Sequence, residues 1–367
     1  MLVSINNPIQ ATAIFAALGF LVLAFSCRPR KESEIFPLTL TQELKGFAIL
    51  AIVLSHIGYF LVSDHRFLFP LSIFAGVGVD LFLFLSGFGL ALSALRKKLS
   101  IGQFYNRRLL KLFIPLWVSI ILFFIIDYFF LHLFYGWLTM AQTAIAYFPH
   151  ADIYTDLNSP LWYLTLIVFY YLLFPLLFSK KYPWLSAIVL FIITRVIISL
   201  NPDFLSAVIS LYKVHLVAFP LGILFAYVLN RRPSLDLAFL KGSIRYIVYY
   251  VALIAAIVVT GYTAIHSGVG KTPFLEESLS LVCMTAIVII FILKKIESRF
   301  LLLCGLYSYE IYLLHWPILQ RYDFLFSWLP PWLAVFCYLA LFLLLGWGLQ
   351  SLVGIIENRK AQVLSTK

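Results

Sequence analysis

Long apolar stretches alternate with short polar ones along the whole chain. A helix needs roughly 20 mainly apolar residues to cross the hydrocarbon layer of a bilayer, and the chain contains eleven runs of about that length. These predicted spans are 9–26, 44–62, 72–95, 109–131, 160–178, 184–200, 207–229, 244–265, 275–293, 301–320 and 332–354. The pattern therefore predicts an all-α protein, a polytopic bundle of transmembrane helices.

The composition favours the same class. Hydrophobic residues make up 63% of the chain and charged residues only 12%, whereas roughly a quarter of a soluble domain is charged. The net charge of +11 does not indicate nucleic-acid binding, because the basic residues lie in short loops between apolar runs. The four cysteines have no metal-binding or redox spacing, so the sequence predicts neither a metal site nor a disulfide framework.

The basic residues also predict the orientation. Loops on one side of the predicted membrane hold most of them, and the opposite loops hold only Arg66, Lys271 and Arg321. Cytoplasmic loops carry the excess of positive charge. We therefore expect an outer N-terminus, a cytoplasmic C-terminus and a location in the cell (inner) membrane. The run 9–26 lacks the positive n-region and cleavage site of a secretion signal, and we interpret it as a retained span.

The second span carries two ionisable residues, Lys45 and His56. They are eleven positions apart, about three helical turns, so both side chains lie on one face. With Lys45 at a membrane edge, His56 reaches the middle of the hydrocarbon layer, where an ionisable group indicates a functional site. The alternatives are a histidine hydrogen-bonded between helices and a lysine that only anchors the span.

The third span places a carboxylate, Asp80, at a depth similar to that of His56. Gly76, Asp80 and Gly87 fall on one helical face, and small residues let another helix or a ligand approach closely there. A carboxylate bonded to an imidazole is typical of general-base histidines. We hypothesise that Asp80 orients His56. A structural pair or an ion-pathway carboxylate is the alternative.

A cluster of cations precedes the fourth span. Arg107, Arg108 and Lys111 lie one to four positions apart, where a helix is predicted to start near Leu109 on the cytoplasmic side. Arginine forks match phosphate oxygens, so the cluster suits a phosphate-bearing ligand. Charge alone indicates equally well a topology signal that contacts anionic lipid.

Two later stretches add polar and aromatic candidates. Trp162 begins a span after the longest outer segment and is an interface aromatic or a platform that stacks on a sugar. The tenth span contains Tyr309, Glu310 and His315, and Glu310 lies near the midplane. Pro317 in the same span is expected to kink its helix.

These stretches together resemble the acyltransferase-3 family of integral membrane O-acyltransferases. The matching pieces occur in the order of the family: Lys45 and His56 with ten residues between them, GVGVDLFLFLSGFG at 76–89, FYNRRLLKLFIP at 104–115, the region of Trp162, and GLYSYEIYLLHWP at 305–317. The resemblance implies a ten-helix core at 44–354. An extra N-terminal span and linker at 1–43 and a short cytoplasmic tail at 355–367 flank this core.

The resemblance also implies an activity: transfer of an acyl group, often acetyl, from cytoplasmic acyl-CoA to a hydroxyl of an extracytoplasmic acceptor. Acceptors in such families are surface polysaccharide, lipid-linked sugar or peptidoglycan, and no bound cofactor or metal is expected. The resemblance implies that His56 is catalytic and that Arg107, Arg108 and Lys111 handle the donor. We add as hypotheses Asp80 as the second catalytic residue, Lys45 as a donor-binding residue, and an acceptor or cavity set of Ser86, Trp162, Tyr309, Glu310 and His315.

Two features keep other interpretations open. Lys45 stands where many members of the family have arginine, which keeps the charge but loses the bidentate fork. The alternative function is a proton-coupled transporter or flippase of an envelope precursor, with His56, Asp80 and Glu310 as its path. Matched broken helices in the two halves, typical of transporters, are not evident in the sequence.

Overall fold

A computed structural model describes residues 2–32, 34–97, 100–153, 156–231, 243–266 and 272–365. Its α-helices are α1 Pro8–Ser26, α2 Leu38–Ser55, α3 Ala75–Arg96, α4 Ile101–Leu131, α5 Trp137–Ala144, α6 Trp162–Leu177, α7 Pro183–Ser199, α8 Ile209–Lys213, α9 Ala218–Arg231, α10 Ser243–His266, α11 Pro273–Leu293, α12 Arg299–Leu306, α13 Ser308–Arg321, α14 Leu325–Trp328 and α15 Pro331–Ser365. A π-helical turn, His56–Leu61, continues α2, and short 3₁₀ turns occupy Leu71–Ile73, Ser159–Leu161 and Asp203–Leu205. The two strands, β1 Cys27–Pro29 and β2 Ile296–Ser298, pair antiparallel.

Helices dominate the described residues, and nine helical segments among them are long and apolar enough to cross a membrane. The predicted polytopic all-α class is therefore confirmed. The other two predicted spans are helical but shorter. Span 184–200 is the 17-residue α7, and span 301–320 is divided into α12 and α13 at Tyr307, whose ψ of 15° is not helical. Pro317 lies inside α13, so the helix is interrupted at Tyr307 and not at the proline.

Two helices extend beyond the predicted apolar spans that they contain. α4 begins at Ile101 rather than near Leu109, and α15 extends to Ser365, well beyond the predicted end of its span. The residues between the predicted and observed ends include arginine, glutamine, glutamate and leucine, all strong helix formers. Hydropathy marks the part of a helix that lies in lipid, whereas the helix itself continues until a residue or turn ends it.

The described chain packs into two compact units. They are unit 1, Met1–Leu99 with Leu177–Leu306, and unit 2, Ser100–Leu176 with Tyr307–Lys367. No pattern in the sequence indicates this division, because each unit is assembled from two separate parts of the chain. The N-terminal segment that was predicted to flank the core packs within unit 1, where α1 contacts α12.

Glycines allow close helix packing in unit 1. The main helix pairs are α3 with α9, α2 with α12, α2 with α3, and α10 with α11. A Cβ at Gly46 would lie 2.0 Å from the carbonyl oxygen of Leu301 in α12, and a Cβ at Gly87 would lie 2.2 Å from that of Phe219 in α9. Two of these pairs therefore meet backbone to backbone, as small residues permit in membrane bundles.

A buried carboxylate near the start of α2 organises one polar end of unit 1. Glu43 accepts hydrogen bonds from Lys294 Nζ and from the backbone N–H of Ser298, both at 2.6 Å, and Arg30 Nη2 lies 3.8 Å from it. Burial lowers the pKa of Lys294, and the hydrogen bond to Glu43 opposes that shift. The two short strands pair beside this network, so α2, β1 and β2 are tied together.

A second buried carboxylate, Asp127 in α4, organises one end of unit 2. It accepts hydrogen bonds from the hydroxyls of Tyr135 and Tyr322 and from the guanidinium of Arg321. Arg321 Nη1 also donates to the hydroxyl of Tyr135 at 2.6 Å. Burial, followed by the hydrogen bond to Asp127, raises the pKa of Tyr135 to about 12.

Candidate active site

A cavity of about 260 Å³ opens in unit 1. Its walls come from the end of α2, the start of α3, α11, and the turn that precedes α9. Its size is many times that of a bound water. Alongside apolar groups it is lined by hydroxyl, imidazole and carboxyl side chains. These polar lining residues are Ser55, Tyr59, Ser72, His215, Glu276 and Ser280.

His56 begins the π-helical turn that continues α2, between residues that line this cavity. The neighbouring Ser55, Tyr59 and Phe60 all line the cavity, and the ring of His56 is 5.7 Å from that of Phe60. The side chain of His56 is half-buried. Single π-helical turns occur frequently at functional sites. The backbone conformation and the surroundings of His56 are therefore compatible with a functional role for its side chain.

Asp80 is fully buried in α3, and its carboxylate bonds a histidine that the sequence analysis did not single out. Oδ1 lies 2.7 Å from Nδ1 of His215, and Oδ2 accepts a hydrogen bond from Oγ of Ser280 at 2.5 Å. The hypothesis that Asp80 orients His56 is corrected accordingly: the imidazole that this carboxylate holds is His215. A carboxylate acceptor at Nδ1 favours the tautomer of a neutral imidazole that has its proton on that nitrogen.

The turn that carries His215 is itself held in place. Glu277 Oε1 accepts the backbone N–H groups of Leu216 at 3.1 Å and Val217 at 3.2 Å, which ties the turn to α11. A Cβ at Gly76 would lie 3.8 Å from Cε1 of His215, so position 76 faces the ring and leaves room beside it. The result is a nearly fully buried imidazole with a fixed orientation on the cavity wall.

The comparison with protein families identifies the class of protein. The acyltransferase-3 family model, described as an acyltransferase domain, matches residues 44–350. The chain belongs to the acyltransferase-3 family. No curated protein and no solved structure matches it. Because the matched segment spans most of the chain and the fold is a polytopic helical bundle, the protein is a membrane acyltransferase.

Two further predicted residues of this acyltransferase lie in unit 1. Lys45 is on α2 and Ser86 is on α3, and each side chain is half-buried. Lys45 is three helical turns before His56, as the sequence spacing required, and Ser86 follows Asp80 by six residues along α3. Their roles as donor and cavity residues stay predictions.

The predicted donor-binding cations of the acyltransferase lie in unit 2, within α4. Arg107 and Lys111 are exposed and one helical turn apart, so they share a face, and Arg108 is half-buried beside them. α4 begins earlier than its hydropathy indicates, so all three cations are inside the helix and not at its first residues. A helical frame fixes the spacing of these cations, which favours a ligand that carries several phosphate oxygens.

The acceptor candidates Trp162, Tyr309, Glu310 and His315 also lie in unit 2. The hydroxyl of Tyr309 donates to the carbonyl oxygen of Leu112 at 2.7 Å. His315 is fully buried, and its Nδ1 lies 2.9 Å from the carbonyl oxygen of Tyr312, one turn earlier in α13. Glu310 is buried and Trp162 is half-buried. The contacts of Tyr309 and His315 stabilise unit 2, and the acceptor roles stay predictions.

The sequence contained a signal for His215 that was not used. His215 lies within the predicted span 207–229, so it is an ionisable residue at membrane depth, the criterion that selected His56. It is flanked by valine and leucine, with no motif to mark it. Ser280 and Glu276 lie on one face of α11, one turn apart, and they join the site only because α11 packs against α3.

Proposed function

We propose that the protein is a membrane O-acyltransferase that moves an acyl group, in the simplest case acetyl, from cytoplasmic acyl-CoA to a hydroxyl of an extracytoplasmic glycan or lipid-linked sugar. The observation that carries the proposal is the cavity lined by His215 and by Ser55 and Tyr59 from the segment that contains His56, within a protein of an acyltransferase family. Transfer to an alcohol needs a base near neutral pH, and imidazole suits that task. The family result favours transfer over the transporter alternative.

In this proposal the donor is held by the cations of α4. Coenzyme A is polyanionic, and Arg107, Arg108 and Lys111 present three positive groups within two helical turns. Arg107 and Arg108 can each make a bidentate contact with phosphate, whereas Lys111 acts as a point charge. Lys45 is assigned to the donor as well, on the same grounds of charge. The predicted topology puts these residues on the cytoplasmic side, where acyl-CoA is present.

The catalytic imidazole of the proposal is His56. The test supplies radiolabelled acetyl-CoA to membranes that contain the wild-type protein, His56→Ala, or His266→Ala as a matched control. His266 is an exposed histidine of α10. We expect His56→Ala to lose about a hundredfold or more of the transfer of label to envelope glycan, because it removes either a general base or a transient acyl carrier. His266→Ala should keep the wild-type rate.

Two outcomes would contradict the proposal, and they differ in what they exclude. Undiminished labelling by His56→Ala would remove His56 from the catalytic role. Absence of labelling by the wild-type protein, with mass spectrometry finding the same glycan acylation in cells with and without the gene, would exclude the acyl-CoA-to-glycan reaction itself. The membrane location and the orientation of the termini are tested separately, by labelling single cysteines in loops of intact cells.

A further inference from the structure

We propose that His215, oriented by Asp80, is a second catalytic imidazole of this cavity and takes the proton of the acceptor hydroxyl. The inference rests on the proposed function. The geometry that carries it is the 2.7 Å contact between Asp80 Oδ1 and His215 Nδ1, together with the place of His215 on the cavity wall. His56 is then left for the donor half of the reaction.

The carboxylate fixes the chemistry of the ring. With the proton on Nδ1 held by Asp80, the basic nitrogen of neutral His215 is Nε2, on the opposite side of the imidazole. The negative charge beside Nδ1 also stabilises the imidazolium that forms when Nε2 takes a proton. Ser280 donates to the other carboxylate oxygen, so Asp80 cannot rotate without losing a hydrogen bond. Asp80 and Ser280 are therefore positioning residues.

The surroundings of the pair suit proton transfer to a bound alcohol. Asp80 is fully buried and His215 is 6% exposed, so the pair is largely shielded from bulk water. The hydroxyls of Ser55 and Ser72 line the same cavity, and they can orient a hydroxyl group of the acceptor by hydrogen bonding.

His215 transfers the proton of the acceptor while the ester bond forms. Nε2 accepts the proton of the acceptor hydroxyl while the acceptor oxygen forms a bond to the carbonyl carbon of the thioester. The carbon–sulfur bond breaks, and coenzyme A leaves as a thiolate. The proton on His215 is then released to that thiolate, which regenerates the neutral imidazole and gives an ester and a thiol.

A purely structural role for the pair makes a different prediction. The hydrogen bonds of Asp80 connect α3 both to α11, through Ser280, and to the turn that precedes α9, through His215. These bonds would stabilise the helix packing in either case. Asparagine at position 215 places an amide N–H near the position of Nδ1 and can keep the bond to Asp80, but it has no basic nitrogen. His215→Asn therefore separates the two roles, and Asp80→Asn removes the charge that acts on the ring.

The first experiment measures acyl transfer by purified protein in lipid nanodiscs. We expect His215→Asn to keep the unfolding temperature of the wild type and its KM for acyl-CoA, and to lower kcat about a hundredfold or more. Wild-type kcat in His215→Asn would overturn the role of His215 while the proposed function stands.

The second experiment needs no substrate and stays informative if His215→Asn fails to fold or if the wild-type protein transfers no acyl group. Diethyl pyrocarbonate acylates unprotonated imidazole, and mass spectrometry reads each modified histidine. We expect His215 to react in the folded wild-type protein and to react severalfold more slowly in Asp80→Asn, with His266 modified at the same rate in both. A His215 that stays unmodified while His266 reacts, or that reacts equally fast in both proteins, would overturn the proposal.

Discussion

Replacing Gly87 by alanine should force α3 and α9 apart. The added Cβ would lie 2.2 Å from the carbonyl oxygen of Phe219, and real Cβ contacts essentially never fall below 3.0 Å. The atom in the way belongs to the backbone, so no side chain can rotate to relieve the contact. On the other side of the same interface, a Cβ at Gly222 would lie 2.1 Å from the carbonyl oxygen of Phe84. The two helices must therefore separate by roughly 1 Å, which loosens a close-packed interface.

The expected magnitude follows from two opposing effects. Overpacking a tight interior typically costs about 1–3 kcal/mol, and a backbone clash belongs in the upper half of that range. Alanine gains about 1 kcal/mol over glycine in helix propensity. We therefore expect Gly87→Ala to lower the free energy of unfolding by about 1–2 kcal/mol. Gly89→Ala is the matched control, because a Cβ there meets no atom within 4 Å, and it should be neutral or stabilising.

The assay compares thermal unfolding of the wild-type protein and both variants in the same lipid nanodiscs, followed by intrinsic fluorescence. Gly87→Ala should unfold at a lower temperature than the wild type, and Gly89→Ala at the same or a higher temperature. Asp80 lies two turns before Gly87 on the same face. Gly87→Ala should therefore also slow the modification of His215 by diethyl pyrocarbonate. Equal unfolding temperatures for the two variants would refute the packing that we describe.

Three more predictions concern charged and titratable groups. Glu43→Leu leaves two neighbouring cations without their buried carboxylate and should cost about 3–5 kcal/mol of stability in denaturant unfolding, whereas Glu34→Leu at an exposed position should change little. The raised pKa of Tyr135, about 12, stabilises the folded state fully below the unfolded pKa near 10. Its contribution should be lost as the pH rises toward 12, so the alkaline loss of stability should shrink in Tyr135→Phe; identical pH curves would contradict this. Arg107→Ala should raise KM for acyl-CoA severalfold with little change in kcat, and Lys180→Ala, an exposed cation outside the cluster, should not.

Most of the helical architecture could be predicted from hydropathy, because the hydrocarbon layer sets a minimum length for apolar runs. Helix ends could not. α4 continues about eight residues before its predicted start, since polar helix formers carry a helix out of the membrane without changing its period. The break at Tyr307 was not predicted either. Two residues earlier, the backbone of α12 at Gly305 lies against Gln42 of α2, a contact with a helix distant in sequence.

The division into two units shows a different limit of sequence reasoning. Each unit combines an early and a late part of the chain, and an apolar pattern contains no information about which helices become neighbours. In a membrane every helix is apolar toward lipid and toward protein, so the amphipathic stripe that identifies packing faces in soluble proteins is weak. Glycine positions are the more informative signal here, and Gly87 is the clearest case.

The error about the partner of Asp80 has a specific geometric cause. Sequence spacing fixes the depth of a residue in the bilayer, and Asp80 and His56 were matched by depth alone. A helix also has faces, and Asp80 shares its face with Gly87, the position at which α9 meets α3 backbone to backbone. The carboxylate therefore points toward the elements that accompany α9, and His215 lies three residues before α9 begins. The partner of Asp80 thus lies in the turn that leads into α9, the helix that approaches α3 at this glycine.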